Sequence, residues 1–271
     1  MQLKDALGRE LELASTPART VSLVPSITEA IYAYGAADRL VGVTQYCIEP
    51  PQALRDKAPV GGTKTIDLGA VRALNPDLVI ASAEENEKAQ VEALIATGLT
   101  VYVIDPRTVQ AALVMLADVA RMLGVMGKAG PLLNMAARAM AQVRREVENK
   151  VRVFCPMWRR PYMSVGADTY MHDLIEACGG LNIFRNLEGH YPEVTLAQVA
   201  ERDPEVILLP DEPYPFAVKH KAEIEAALPS TTAVRNNQVH LVDGKMLCWY
   251  GPRISGALWE LSGLFAKAAG S

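Results

Sequence analysis

Apolar positions along this chain fall into short uninterrupted runs, each followed by a polar loop and then by a stretch with helical spacing. Thr20–Val24 reads Thr-Val-Ser-Leu-Val and Leu40–Thr44 reads Leu-Val-Gly-Val-Thr. Asp77–Ala81 and Val101–Ile104 continue the series. Such runs bounded by turn residues predict buried strands. Helical spacing is expected from Pro25 to Gly35, over Leu68–Leu74 and over 87–97. The alternation returns in the second half, with strands at Arg152–Cys155, Glu205–Leu209 and Val239–Val242 and helices at Asp168–Cys178, Leu196–Glu201 and Ile254–Ala268. Weak alternation over residues 2–14 around Ala6-Leu7-Gly8-Arg9 predicts a short hairpin. Strands alternating with helices imply an α/β fold with mainly parallel sheets.

The middle of the chain breaks this rhythm. From Thr108, apolar residues recur at Val109, Ala112, Leu113, Leu116, Ala120 and Leu123, the helical period, until Gly124, Gly127 and Gly130 interrupt it. A second run follows at Leu132, Ala136, Met140, Val143 and Val147, with Arg138, Gln142, Arg144, Arg145, Glu146, Glu148 and Lys150 on the other face. A helix from Pro131 to Lys150 would be about 30 Å long, enough to cross one small lobe and reach another.

An internal repeat supports two lobes. Leu68-x-x-Val71 with Pro76-Asp77-Leu78-Val79-Ile80 recurs at one fixed offset as Leu196-x-x-Val199 with Pro204-Glu205-Val206-Ile207-Leu208. The expected organisation is an N-terminal α/β lobe over 1–106, a helical linker over 107–150 and a C-terminal α/β lobe over 151–271. The ligand cleft is expected between the lobes, because open α/β sheets bind ligands beyond the carboxyl ends of their strands.

Those ends carry the unusual loops. In the first lobe they hold Pro25, Ser26, Tyr46, Cys47, Thr63, Lys64, Glu84, Glu85 and Asn86. In the second they hold Trp158, Arg159, Arg160, Tyr162, Asp211, Glu212, Tyr214, Phe216, Trp249, Tyr250 and Arg253. Ser26 and Glu29 fit a capping box, and the turn before them suits an anion or a polar ligand group as well as a plain capped helix. Aromatic rims with a few fixed polar groups suit a bulky, flat ligand. Arg159 and Arg160 suit carboxylate or phosphate groups, or solvent. The acidic pairs suit ligand amides, a metal, or solvent. Cys47 is a candidate metal ligand or nucleophile, set against an inert thiol, and His172 is the other metal candidate.

Composition narrows the classes. Among 271 residues the net charge is −4, and the pI is near 5.7, which gives no sign of a nucleic-acid partner. No apolar run approaches the roughly 20 residues of a membrane helix, so membrane insertion is not expected. Cys47, Cys155, Cys178 and Cys248 form no CxxC and no zinc-ligand spacing. No nucleophile elbow or phosphate loop is present, so no catalytic motif argues for an enzyme. The start Met1-Gln2-Leu3-Lys4-Asp5 lacks signal-peptide character, so a cytoplasmic location is expected, or a periplasmic one for a mature form.

Thr20-Val-Ser-Leu-Val-Pro-Ser-Ile-Thr-Glu29, Leu40-Val-Gly-Val-Thr44, Pro50-Pro51 and Leu74-Asn-Pro-Asp-Leu-Val-Ile80 resemble the vitamin B12-binding proteins of ABC importers. These belong to the helical-backbone class of periplasmic-binding-protein-like folds, which also takes siderophores and haem. Cys178-Gly-Gly-Leu-Asn-Ile-Phe184, Tyr191-Pro-Glu-Val194, Asp203-Pro-Glu-Val-Ile207 and Trp249-Tyr-Gly-Pro-Arg253 continue the resemblance over nearly the whole chain. It implies two α/β lobes bridged by one long rigid helix. It also implies a non-catalytic monomer that needs no cofactor and binds a cobalamin-like corrinoid or another metal chelate. Tyr46 matches a corrin-contacting tyrosine, whereas the loops at Thr63 and Ser82 are small and polar where B12 binders carry tryptophan. Gly69 and Ala197 stand where the family's docking glutamates meet an ABC permease, which points to a cytoplasmic subgroup. The rival expectations are a free-metal binder using Cys47, His172 and the acidic loops, and an enzyme that modifies or delivers a corrinoid through Cys47 or Glu85.

Overall fold

The structure is a computed structural model that describes residues 1–147 and 150–270. The chain divides into two compact units. The first takes Met1–Pro106, Gln110–Asn134 and Tyr250–Pro252, and the second takes Arg107–Val109, Met135–Trp249 and the stretch from Arg253.

In the first unit, β1 (Gln2–Lys4) and β2 (Glu10–Glu12) form the expected antiparallel hairpin. The main sheet comprises β3 (Thr20–Ser22), β4 (Leu40–Val43), β5 (Ala58–Pro59), β6 (Leu78–Ser82) and β7 (Val101–Ile104). Its order is β5-β4-β3-β6-β7, and every neighbouring pair is parallel. Helices α1 (Pro25–Ala33), α2 (Gln52–Asp56), α3 (Leu68–Ala73) and α4 (Lys88–Ala96) follow successive strands. Val21, Leu23, Val79, Ala81 and Val103 fill one core with Val71 and Leu94.

Two long helices come next, α5 (Val109–Met122) and α6 (Met126–Glu146). The second helix was expected from Pro131 to Lys150. It instead starts at Met126 and carries Gly127, Gly130 and Pro131 inside it. Proline removes one helical N–H at that point, yet the buried stripe Ala129, Ala136, Ala139, Met140 and Val143 holds the helix together. The helix ends at Glu146, and Glu148, expected on its polar face, lies outside the described residues.

The second unit carries β8 (Val151–Phe154), β9 (Pro156–Trp158), β10 (Tyr162–Ser164), β11 (Gly180–Asn182), β12 (Glu193–Val194), β13 (Val206–Pro210) and β14 (Val239–Val242). Its parallel sheet has the order β11-β8-β13-β14. A small antiparallel sheet, β12-β10-β9, lies apart from it in the strand order. The helices are α7 (Tyr170–Ala177), α8 (Leu196–Arg202), α9 (Val218–Ala227), α10 (Thr232–Arg235), α11 (Gly244–Cys248) and α12 (Ile254–Ala269). Phe154, Phe184, Ile207, Leu209, Phe216, Ile224 and Val239 build the core.

Three expectations change. The stretch 156–162, expected as a loop, is the β9–β10 hairpin. The stretch 245–253 contains α11, capped by the Asp243 carboxylate, which accepts from the Lys245 N–H. The capping box at Ser26 and Glu29 is not formed. Pro25 takes the first helical position behind Val24, which puts Ser26 inside the helix.

The repeat is structural. Asp67 caps α3 and Thr195 caps α8. Asn75 and Asp203 turn the chain left-handed after each helix, at φ 47° and 43°. Asp77 then accepts from the Arg19 N–H at 2.9 Å, and Glu205 accepts from the Arg152 N–H at 2.8 Å. The Arg19 guanidinium donates to the Leu74 carbonyl and that of Arg152 to the Asp203 carbonyl, at 2.9 and 2.7 Å. In each unit an arginine at the start of a central strand thus satisfies carbonyls released at a helix C-terminus, where a cation is favoured.

Candidate functional site

In the first unit, the loops after β3, β4, β5 and β6 are tied together at the carboxyl edge of the sheet. Asn86 is the brace. Its Oδ1 accepts from the Ser82 N–H at 2.8 Å, and its Nδ2 donates to the carbonyls of Thr63 at 3.0 Å and Leu23 at 3.3 Å. The Lys64 ammonium donates to the Glu84 carbonyl at 3.0 Å. Gly62 leaves room for the Tyr46 ring, since a Cβ there would stand 3.2 Å from the ring. Tyr46 is 53% exposed. The Tyr250 hydroxyl donates to Glu85 at 3.3 Å and bonds the Ser82 hydroxyl, and burial pushes its ionisation well above the usual range. Gly251 lies over the first turn of α1, where a Cβ would meet the Ser26 carbonyl at 3.3 Å. Ser26 and Pro25 are buried, and among the described residues the Ser26 hydroxyl has no hydrogen-bond partner.

Cys47 does not offer a reactive thiolate or an open ligand. It is fully buried, and its sulfur lies 3.1 Å from the Thr28 hydroxyl and 3.3 Å from that of Thr44. Burial pushes its thiol up, against the opposing effect of those hydrogen bonds. His172, in the second unit, is held at Nδ1 by the Asn182 amide at 3.2 Å, and burial pushes its pKa down. Among the described residues no group of three or more His, Cys, Asp or Glu is placed to hold a metal ion. The free-metal expectation therefore finds no donor set among the described residues.

The second unit gathers an aromatic face. Trp158, 44% exposed at the end of β9, meets Tyr214 edge-on at 5.5 Å between centroids. Tyr214 packs on Phe216 at 4.8 Å and on His220 at 5.4 Å. The Arg159 guanidinium hydrogen-bonds Tyr214 and Tyr162 and pairs with Glu223, so it is engaged on the protein itself. Arg160 is exposed in the hairpin turn at φ 66°. Sequence reasoning missed His220, whose place beside two aromatic rings only the fold shows.

Trp249 lies elsewhere in this unit. It is 5% exposed, and its indole N–H donates to Glu212 at 3.1 Å. The Arg253 guanidinium stacks over the ring at 5.6 Å and also pairs with Asp243 at 3.5 Å. Asp211 accepts from the Gly244 N–H at 2.7 Å. Burial pushes the Glu212 carboxyl up, and the Trp249 bond opposes that shift. Glu212, Trp249 and Arg253 therefore brace one another, and Asp211 holds the start of α11.

Each unit thus carries polar and aromatic side chains around a parallel sheet. The family model described as periplasmic binding protein matches residues 21–246. This chain belongs to the periplasmic binding protein family. Within the family it is similar to the vitamin B12-binding protein of Vibrio cholerae serotype O1, at 28% identity over 249 residues, 90% of this chain and 87% of that one. The vitamin B12-binding protein of Vibrio campbellii is 30% identical over 208 residues, 73% of each chain. The crystal structure of the periplasmic vitamin B12 binding protein of Vibrio cholerae superposes with a TM-score of 0.83 at 26% identity, covering 94% of this chain and 99% of that one. A periplasmic heme-binding protein from Roseiflexus sp. RS-1 shares the fold at a TM-score of 0.79 and 24% identity, over 93% and 98% of the two chains. The resemblance read from the sequence motifs and the α/β, two-unit organisation agree with this membership.

Proposed function

We propose that this member of the family is a non-catalytic receptor for a cobalamin-like corrinoid. The observation that carries the reading is the exposed Trp158, fixed edge-on by Tyr214 and supported by the B12-binding relatives. A corrin presents a broad apolar face ringed by amides, which suits an aromatic contact with polar groups around it. In the second unit we assign macrocycle contact to Trp158 and Tyr162, and amide or phosphate contact to Arg160. Trp249, Asn86 and Arg159 serve as supports, because their polar groups are engaged within the protein. The periplasmic location of the relatives supports a periplasmic setting, and a monomer is part of the proposal. Among the described residues no helix is long and apolar enough to cross a membrane. Delivery to an ABC permease, expected of this family, would use the exposed first turns of α3 and α8, where Gly69 and Ala197 carry no carboxylate. Its charge pairing would therefore differ from a glutamate–arginine dock.

Absorbance titration with cyanocobalamin, cobinamide and haemin tests the reading. Saturable spectral change with the corrinoids is expected, and Trp158→Ala should cost about 2 kcal/mol, or roughly thirtyfold in affinity. Unchanged corrinoid affinity in that variant would remove Trp158 from the site. Saturation by haemin alone would move the ligand class to haem.

A further inference from the structure

His220 sits at the third position of α9 and is 5% exposed. Its Nδ1 accepts from the Ala217 N–H at 3.1 Å. This is the bond a glutamate or glutamine makes at the same position of a capping box. With Nδ1 accepting, the neutral ring carries its proton on Nε2, which faces the Tyr214 hydroxyl at 3.5 Å. The ring also lies at 5.8 Å from Phe216, edge-on, and at 5.4 Å from Tyr214. One imidazole therefore joins the start of α9 to the loop that supports Trp158.

We propose that His220 is a positioning residue for the aromatic face, and that it holds Tyr214 and Phe216 only as a neutral imidazole, so that ligand binding by this face weakens as pH falls. The inference rests on the reading that Trp158 meets the ligand.

Protonation removes the Nδ1 acceptor and strands the Ala217 N–H. It also puts a cation at a helix N-terminus, where positive charge is disfavoured. The charged groups around the ring are Arg159 and Arg160 from the β9–β10 turn and Lys219 and Glu223 from α9. Three of these four are cations. Burial, then Arg159 and Lys219, push the His220 pKa below its ordinary value near 6.5. A histidine with a depressed folded pKa contributes stability that is full above the unfolded value. That stability is lost as pH falls through the folded one.

The test uses the intact protein and cyanocobalamin. His220→Gln keeps an acceptor for Ala217 and cannot take up the proton. Without ligand, the part of the tryptophan emission that Trp158→Phe removes should change between about pH 8 and about pH 5 in the wild type. It should stay level in His220→Gln, and in His220→Phe it should resemble the acid form throughout. Cyanocobalamin affinity should fall roughly three- to tenfold over that range in the wild type, and stay level in His220→Gln. The same emission profile in the wild type and His220→Gln would overturn the role of His220. A wild type that shows the emission change but binds no cyanocobalamin at either pH would overturn the ligand reading and leave the positioning role standing.

Discussion

Gly61→Ala should destabilise the first unit by about 3 kcal/mol, the sum of a strained backbone and an overpacked contact. Gly61 stands at φ 89° in the turn after β5. A Cβ built there would meet the Thr65 carbonyl oxygen at 2.3 Å and the Asp67 nitrogen at 2.8 Å. Both are backbone atoms of the Gly61–Ile66 bridge, so no flexible side chain can give way. The turn also carries Thr63 and Lys64, and the Gly61 carbonyl accepts from the Gln45 N–H at 2.9 Å. The damage should therefore reach Tyr46 as well. Gly98→Ala is the matched control. It has φ 83° with nothing within 4 Å of the added Cβ, and should show the strain alone, about 1–2 kcal/mol. Urea unfolding of the two variants separates the effects. Equal losses would mean that the close approach at Gly61 contributes nothing.

Asn86→Ala should cost about 3 kcal/mol and loosen the Thr63–Lys64 turn. The side chain is 3% exposed and serves one N–H and two carbonyls on three different segments. Leaving buried backbone groups unpaired costs about 1–3 kcal/mol each. Asn86→Asp separates the two halves of the amide. It keeps the acceptor for the Ser82 N–H but sets a carboxylate oxygen against the carbonyls of Leu23 and Thr63. The aspartate variant should therefore be at least as unstable as the alanine one, with faster amide exchange at Thr65 and Ile66 in both. Wild-type stability in Asn86→Asp would show that the two donated bonds are dispensable.

How far the fold could be read in advance depended on which forces were local. The repeated helix–proline–strand unit was legible because its apolar spacing and its prolines keep one offset. The caps at Asp67 and Thr195 and the left-handed turns at Asn75 and Asp203 follow the same offset. The start of α6 was not legible. Gly127, Gly130 and Pro131 all read locally as breaks, and only the burial of Ala129 and Ala136 on the same helix overrides them. The β9–β10 hairpin was hidden because its strands are too short to show alternation. At the site, Trp249 reads as a rim aromatic in a Gly- and Pro-containing stretch. Its burial depends on a distant pairing with Glu212, itself pressed against Gly244, where a Cβ would meet the Glu212 carbonyl oxygen at 2.5 Å. His220 lies between Lys219 and Lys221, a pattern that reads as solvated surface. Conversely, the exposed Trp158 and Tyr46 fall in stretches that follow the predicted strands, although Trp158 itself ends β9.

Equilibrium dialysis of the purified protein against cyanocobalamin tests most directly whether this chain is a corrinoid receptor. Retention of about one equivalent per chain is expected, as for a single preformed ligand site, with the corrinoid recovered chemically unchanged after the protein is unfolded. No saturable retention, or recovery of an altered corrinoid, would contradict a non-catalytic corrinoid receptor.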